Sequence, residues 1–205
     1  MKDLLRQSLN WSVGIAVITF VLAALFTIIS TSMLSGVGWA LGMLIVFIIV
    51  LVGIFFDMLG IAAAAADEVP FHSMASNRVI GAKQSLKIVR NADRFASFCN
   101  DVIGDISGII SGTASAIVVI QLTLDMAIKE GSLLQIVINV AFTSLVAALT
   151  VGGKAFGKSI AINFSTDIIF QVGKIIYLFE DKFKIPVLKD KKYKKINKQR
   201  NMNRK

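Results

Sequence analysis

Charge is missing from stretches where a soluble chain would carry it. From Gln7 to Phe56 there is no Asp, Glu, Lys or Arg, and Ile106 to Leu124 is equally bare. A soluble domain keeps about a quarter of its residues charged throughout, so runs of this length exclude that class. Cysteine and histidine are represented once each, by Cys99 and His72. A single cysteine permits no internal disulfide and implies no metal cluster. A solitary His72, beside Pro70 and Phe71, reads as a surface or cap residue rather than a ligand. There is no nucleophile elbow, no phosphate loop and no paired histidine, so catalysis is not expected.

What fills the chain is hydrophobe, at 55% of 205 residues with a mean hydropathy of +0.72. A helix needs roughly 20 apolar residues to cross a bilayer, which places spans near Trp11 to Ser30, Val37 to Phe56, Val102 to Leu124 and Leu133 to Gly152. The expected fold class is therefore all-α, a polytopic membrane helix bundle of four transmembrane helices. The first apolar stretch is longer than a secretory signal and is followed at once by another, so it reads as retained. Lys2 and Arg6 precede span one, Arg78, Lys83, Lys87, Arg90 and Arg94 separate spans two and three, and the bases after span four begin at Lys154. The two other connections hold only Lys129. The positive-inside rule then puts both termini and the central loop in the cytoplasm, in a cell membrane.

Between spans two and three, Ala62 to Ala66 should continue a helix until Asp67, Glu68 and Pro70 end it. Val79, Ala82, Leu86 and Val89 then recur at helical spacing opposite Arg78, Lys83, Lys87 and Arg90, the second limb of a cytoplasmic helical hairpin. Asn91 is placed to cap the helix that follows. After span four, Phe156 to Phe179 is apolar at Ile160, Phe164, Ile168, Val172, Ile175 and Phe179 and polar at Lys158, Asp167, Gln171 and Lys174. It reads as a juxtamembrane amphipathic helix in the headgroup boundary, with a fifth crossing as the alternative. From Lys182 to Lys205 there are eleven Lys or Arg against Asp190, so the overall charge of +9 resides in the tail. Such a tail either binds anionic lipid or simply enforces orientation; specific nucleic-acid binding is not expected, since no fold accompanies the charge.

The candidate chemistry lies where span three begins. Asp101, Gly104, Asp105, Gly108, Ser111, Gly112 and Ser115 project onto one stripe, with Val102, Ile103, Ile106, Ile109, Ile110 and Ile117 opposite. A carboxylate entering lipid costs several kcal/mol unless it faces protein, water or a cation, so the acidic stripe should face inward and the isoleucines outward. No Lys, Arg or His lies within the spans to pair with the acids, though Arg94 is within reach of Asp101. Hard cations take oxygen ligands. Asp57 closes span two at matching depth, Asn100 flanks the pair, Ser111 continues the stripe, and Gln135, Asn139 and Thr143 form a second polar line in span four. The expected metal contacts are thus Asp57, Asp101 and Asp105, with Asn100, Ser111 and Asn139 as further oxygen donors. A paired or protonated structural Asp is the alternative. Gly104, Gly108 and Gly112, and Gly38 with Gly42, have the spacing of close helix packing.

Several stretches resemble the membrane domain of the CNNM/CorC/CorB family of magnesium and cobalt transport proteins. Phe55, Phe56, Asp57 and Gly60 stand where the family has a Phe-Phe-Ser-x-x-Glu-like sequence. Ala82, Lys83 and Leu86, then Asn91, Ala92, Asp93, Arg94 and Phe95, are similar to its basic helix and Asn-Pro-x-Arg-Phe-like turn. Gly104 and Asp105 open the glycine-rich span. Gly153, Lys154, Gly157, Lys158, Ser159 and Ala161 keep the spacing of its Gly-Glu-x-x-Pro-Lys-Ser-x-Ala stretch. The resemblance covers about residues 50 to 180 and divides the chain into an additional N-terminal helix (1–36), a family-like membrane domain (37–181) and a basic tail (182–205). It implies transport or sensing of a divalent cation such as magnesium, no prosthetic group, and a homodimer in a bacterial inner membrane. The family's nucleotide-sensing CBS pair has no counterpart in these 205 residues, and its two glutamates are replaced by Gly60 and Lys154. Those departures favour the competing expectation, a non-transporting membrane scaffold or regulatory interaction protein that keeps the fold.

Overall fold

The computed structural model describes residues 2–129 and 131–183, except for the side chains of residues 2–8, 10, 11 and 183. Expectations for the tail from residue 184 onward lie outside the described residues. The described chain is all-α: α1 (Lys2–Ser35), α2 (Trp39–Ala65), α3 (Glu68–Ser76), α4 (Ala82–Arg90), α5 (Ala92–Ser97), a π-helical segment (Phe98–Gly104), α6 (Asp105–Asp125), α7 (Leu133–Asn163) and α8 (Ser165–Phe183). Four helical stretches are long and apolar enough to cross a membrane: Ser12–Ser35, Trp39–Ala65, Ala92–Asp125 and Leu133–Asn163. The last three run past the limit set by their uncharged residues. Helical hydrogen bonding continues until a breaker intervenes, whether or not the side chains are apolar.

Helix α2 is the centre of the bundle. Its face of Val46 and Val50 packs with Ala114 and Val118 of α6 and Val146 of α7, and Leu34 at the end of α1 joins this cluster. Small residues set the spacing, because helices with no water to expel gain most from close backbone approach. A Cβ on Gly42 would stand 2.8 Å from Val118, and one on Gly53 would stand 2.9 Å from Ser107. At one end of α6 the Gln121 amide donates to Leu34 O at 2.9 Å, satisfying a terminal carbonyl of α1.

α2 stops at Ala65, with Ala66 extended, just before the charged pair and Pro70. Pro70 falls in the first turn of α3, where its missing N–H costs nothing. Around the C-terminal ends of α2 and α7, a second core gathers Ala62, Ala63, Ala66, Phe71, Ile88, Ala161 and Ile169. It unites α2, α3, α4, α7 and α8. The face that α4 buries is Ala82, Ser85 and Ile88 with Gln84, while Val79 precedes the helix and is exposed, so the apolar side is rotated from the sequence expectation. Asn91 also differs: its amide donates to Lys87 O at 2.8 Å, closing α4 rather than capping α5.

The segment 156–179 is not one interfacial helix. α7 continues to Asn163, the backbone breaks at Phe164, and α8 begins at Ser165. α8 is seated on protein: Ser85 Oγ donates to Ile169 O at 3.1 Å and lies against Gly173, while Gln84 Nε2 donates to Glu180 at 2.8 Å. Gly81, at φ 87, passes so near Lys174 that a Cβ would come within 2.7 Å of its backbone nitrogen. Both the left-handed backbone and the contact require glycine there.

Candidate cation site

Three helices bring charge to one depth. At 1.5 Å per residue, Asp57 lies about 27 Å along α2 from Trp39, Asp105 about 30 Å along α6 from Asp125, and Lys154 about 32 Å along α7 from Leu133. Each therefore lies about as far from the α1–α2 or α6–α7 turn as the roughly 30 Å thickness of a bilayer's hydrocarbon core. The Lys154 Nζ atom sits 3.7 Å from Asp57 Oδ1 and 3.9 Å from Asp105 Oδ1. An ammonium thus lies between the two carboxylates. Asp57 is the enclosed partner at 15% side-chain exposure, Lys154 is at 26%, and Asp105 is open at 69%.

This arrangement corrects the expectation that no base within the helical spans pairs with the acids. Lys154 was assigned to the segment after span four because the uncharged run ends at Gly153, but α7 carries it back onto α2 and α6. Gly153 and Gly157 permit the approach, since both lie against Ile54.

The acidic stripe divides. Its Gly104, Ser111 and Ser115 edge is buried, whereas Asp101 in the π-helical segment and Asp105 at the start of α6 are exposed and do not turn into the bundle. The opposite face is corrected as well. Val102, Ile106 and Ile110 are 1%, 4% and 5% exposed, packed with Ile15, Leu22 and Ala23 of α1, while Ile109 remains open. α1 covers one side of α6 and α2 another, leaving a sector in which Cβ atoms on Gly108 and Gly112 would meet nothing within 4 Å. Those two glycines do not pack a helix here.

Asn100 lies within the π-helical segment, the wide-turn geometry that often marks functional positions. Its side chain lies directly over Gly60, and its Oδ1 is buried without a protein hydrogen-bond partner. Gly60 therefore makes room for an amide. Ser111 contributes less than expected, because its hydroxyl donates to Gly108 O at 2.9 Å within its own helix. Asn139 is not brought to the site. It is exposed on α7 and accepts from Thr143 Oγ1 at 3.2 Å, while Gln135, a turn before it, bonds to Thr123 of α6 at 3.4 Å. His72 is a surface residue, 3.3 Å from Glu68 and 3.0 Å from Arg90. Cys99 is buried. Among the described residues, no three His, Cys, Asp or Glu side chains are grouped so as to hold a metal.

Comparison with family models, with curated proteins and with solved structures found no match to this chain.

Proposed function

We propose that this is a four-span membrane protein with cytoplasmic termini that handles a divalent cation such as magnesium at Asp57 and Asp105, with Lys154 as a tethered cation that the ion must displace. The observation that carries the reading is the ammonium held between two carboxylates supplied by different helices at the edge of the apolar thickness. Two carboxylates and one ammonium sum to −1, which gives a dication too little charge to hold while Lys154 stays. Lysine is a compact charge on a flexible stem, and Asp105 is open, so the ammonium has somewhere to go. Asp101, one turn before Asp105 on the same exposed face, extends the negative approach, and Asn100 Oδ1, buried over Gly60, is a further hard acceptor. The likeness to CNNM/CorC/CorB membrane domains agrees with this reading and adds transport and a homodimer to it.

Magnesium flux into vesicles containing the pure protein tests it. The expected result is dye-reported flux for the wild type and its loss in an Asp57→Asn, Asp105→Asn variant. Equal rates in both would reject the ionic role.

A second reading is favoured by the same salt bridge: Lys154 is a permanent structural counter-ion in a non-transporting scaffold. On that reading Lys154→Met destabilises the protein and magnesium does not compensate.

A further inference from the structure

Among the described residues outside the four apolar stretches, several hydrophobes are exposed, among them two ahead of α4 and two on α8. Gly81 holds the α3–α4 connection against Gly173 and Lys174 at the midpoint of α8, and Val79 and Ile80 immediately precede that contact. Both are exposed, as are Ile175 and Leu178 of α8, the latter at 63%. The opposite side of α8 is committed to Ser85 through Ile169 and Gly173. The exposed side changes character along its length, from Asp167 and Gln171 to Ile175 and Leu178 and then to Lys182. Eleven Lys or Arg occupy 182–205, with Phe183, Ile185, Tyr193 and Ile196 among them.

We infer that Val79, Ile80, Ile175 and Leu178 form a docking surface for the anionic leaflet of the membrane that the chain itself crosses. An apolar ridge alone would accept many partners, but here a strongly basic segment of the same polypeptide begins where the ridge ends. Apolar side chains at the acyl boundary combined with bases among acidic headgroups form the two-signal pattern of stable interfacial binding. A protein tethered by its spans meets that leaflet at high effective concentration, so each contact need contribute little. Docking would fix α8, and through Gly173 and Ser85 the α3–α4 pair, relative to the bilayer.

The test uses the full chain in nanodiscs, with buried Cys99 replaced by alanine and an environment-sensitive dye attached through Leu178→Cys or, as the reference, Gln171→Cys. In discs containing anionic lipid, the dye at position 178 should be blue-shifted and quenched by brominated acyl chains, and the dye at 171 should not. Zwitterionic discs or high salt should reverse the effect, and each tail lysine changed to glutamine should weaken the docked population roughly fivefold. A water-like spectrum at 178 in anionic discs overturns the inference. So does burial that follows protein density rather than lipid charge, indicating a second copy, or burial that needs added RNA. Thermal unfolding of both labelled proteins confirms that neither label has disrupted the fold.

Discussion

Asn100 and Gly60 illustrate how a side chain at this site depends on the absence of another. Because the amide occupies the space above Gly60, Gly60→Ala must push Asn100 or α5 aside, and overpacking of this kind costs about 1–3 kcal/mol. Gly108→Ala enters open space within a helix and should be neutral or stabilise by up to about 1 kcal/mol. Thermal unfolding in detergent separates the two, and equal shifts would mean that Asn100 is not held where described. Lys154→Met leaves Asp57 without its ammonium. Its cost should fall between the roughly 1 kcal/mol of an exposed pair and the roughly 3–5 kcal/mol of breaking a buried one.

At the scale of the helix, α6 shows what a sequence projection contains and what it omits. The uncharged runs marked the four long apolar helical stretches, and Asp57, Asp101 and Asp105 lie at the edges of those runs. Which face of α6 meets protein did not follow, because that depends on whether α1 lies against it, and α1 is apolar all round and carries no facial preference. Lys154 was missed for a related reason, since charge marks the end of an apolar run but not the end of a helix. The packing now seen makes a definite contrast. Ile106→Ala opens a cavity against α1 and should cost about 2–4 kcal/mol, while Ile109→Ala, on the exposed side, should cost less than about 0.5 kcal/mol. Gly173→Ala should unseat α8 from Ser85, seen as faster amide exchange across both α8 and α4, whereas unchanged exchange in α4 would show the helices to be independent.

For the molecule as a whole, the proposed topology and ion handling both rest on charge at one boundary. Single cysteines introduced at Ser32 and at Ser76, in a Cys99→Ala background, should react with an impermeant maleimide from opposite sides of the membrane, the first from outside. If Lys154 occupies the position of a cation, its removal should make stability depend on magnesium, which thermal unfolding of Lys154→Met measures. At a magnesium concentration about 100 times the dissociation constant, the variant should gain roughly 5–10 °C in Tm, well beyond the wild type, and adding Asp105→Asn should abolish the gain. An identical small magnesium shift in the wild type and in Lys154→Met would contradict the claim and leave Lys154 as a structural counter-ion.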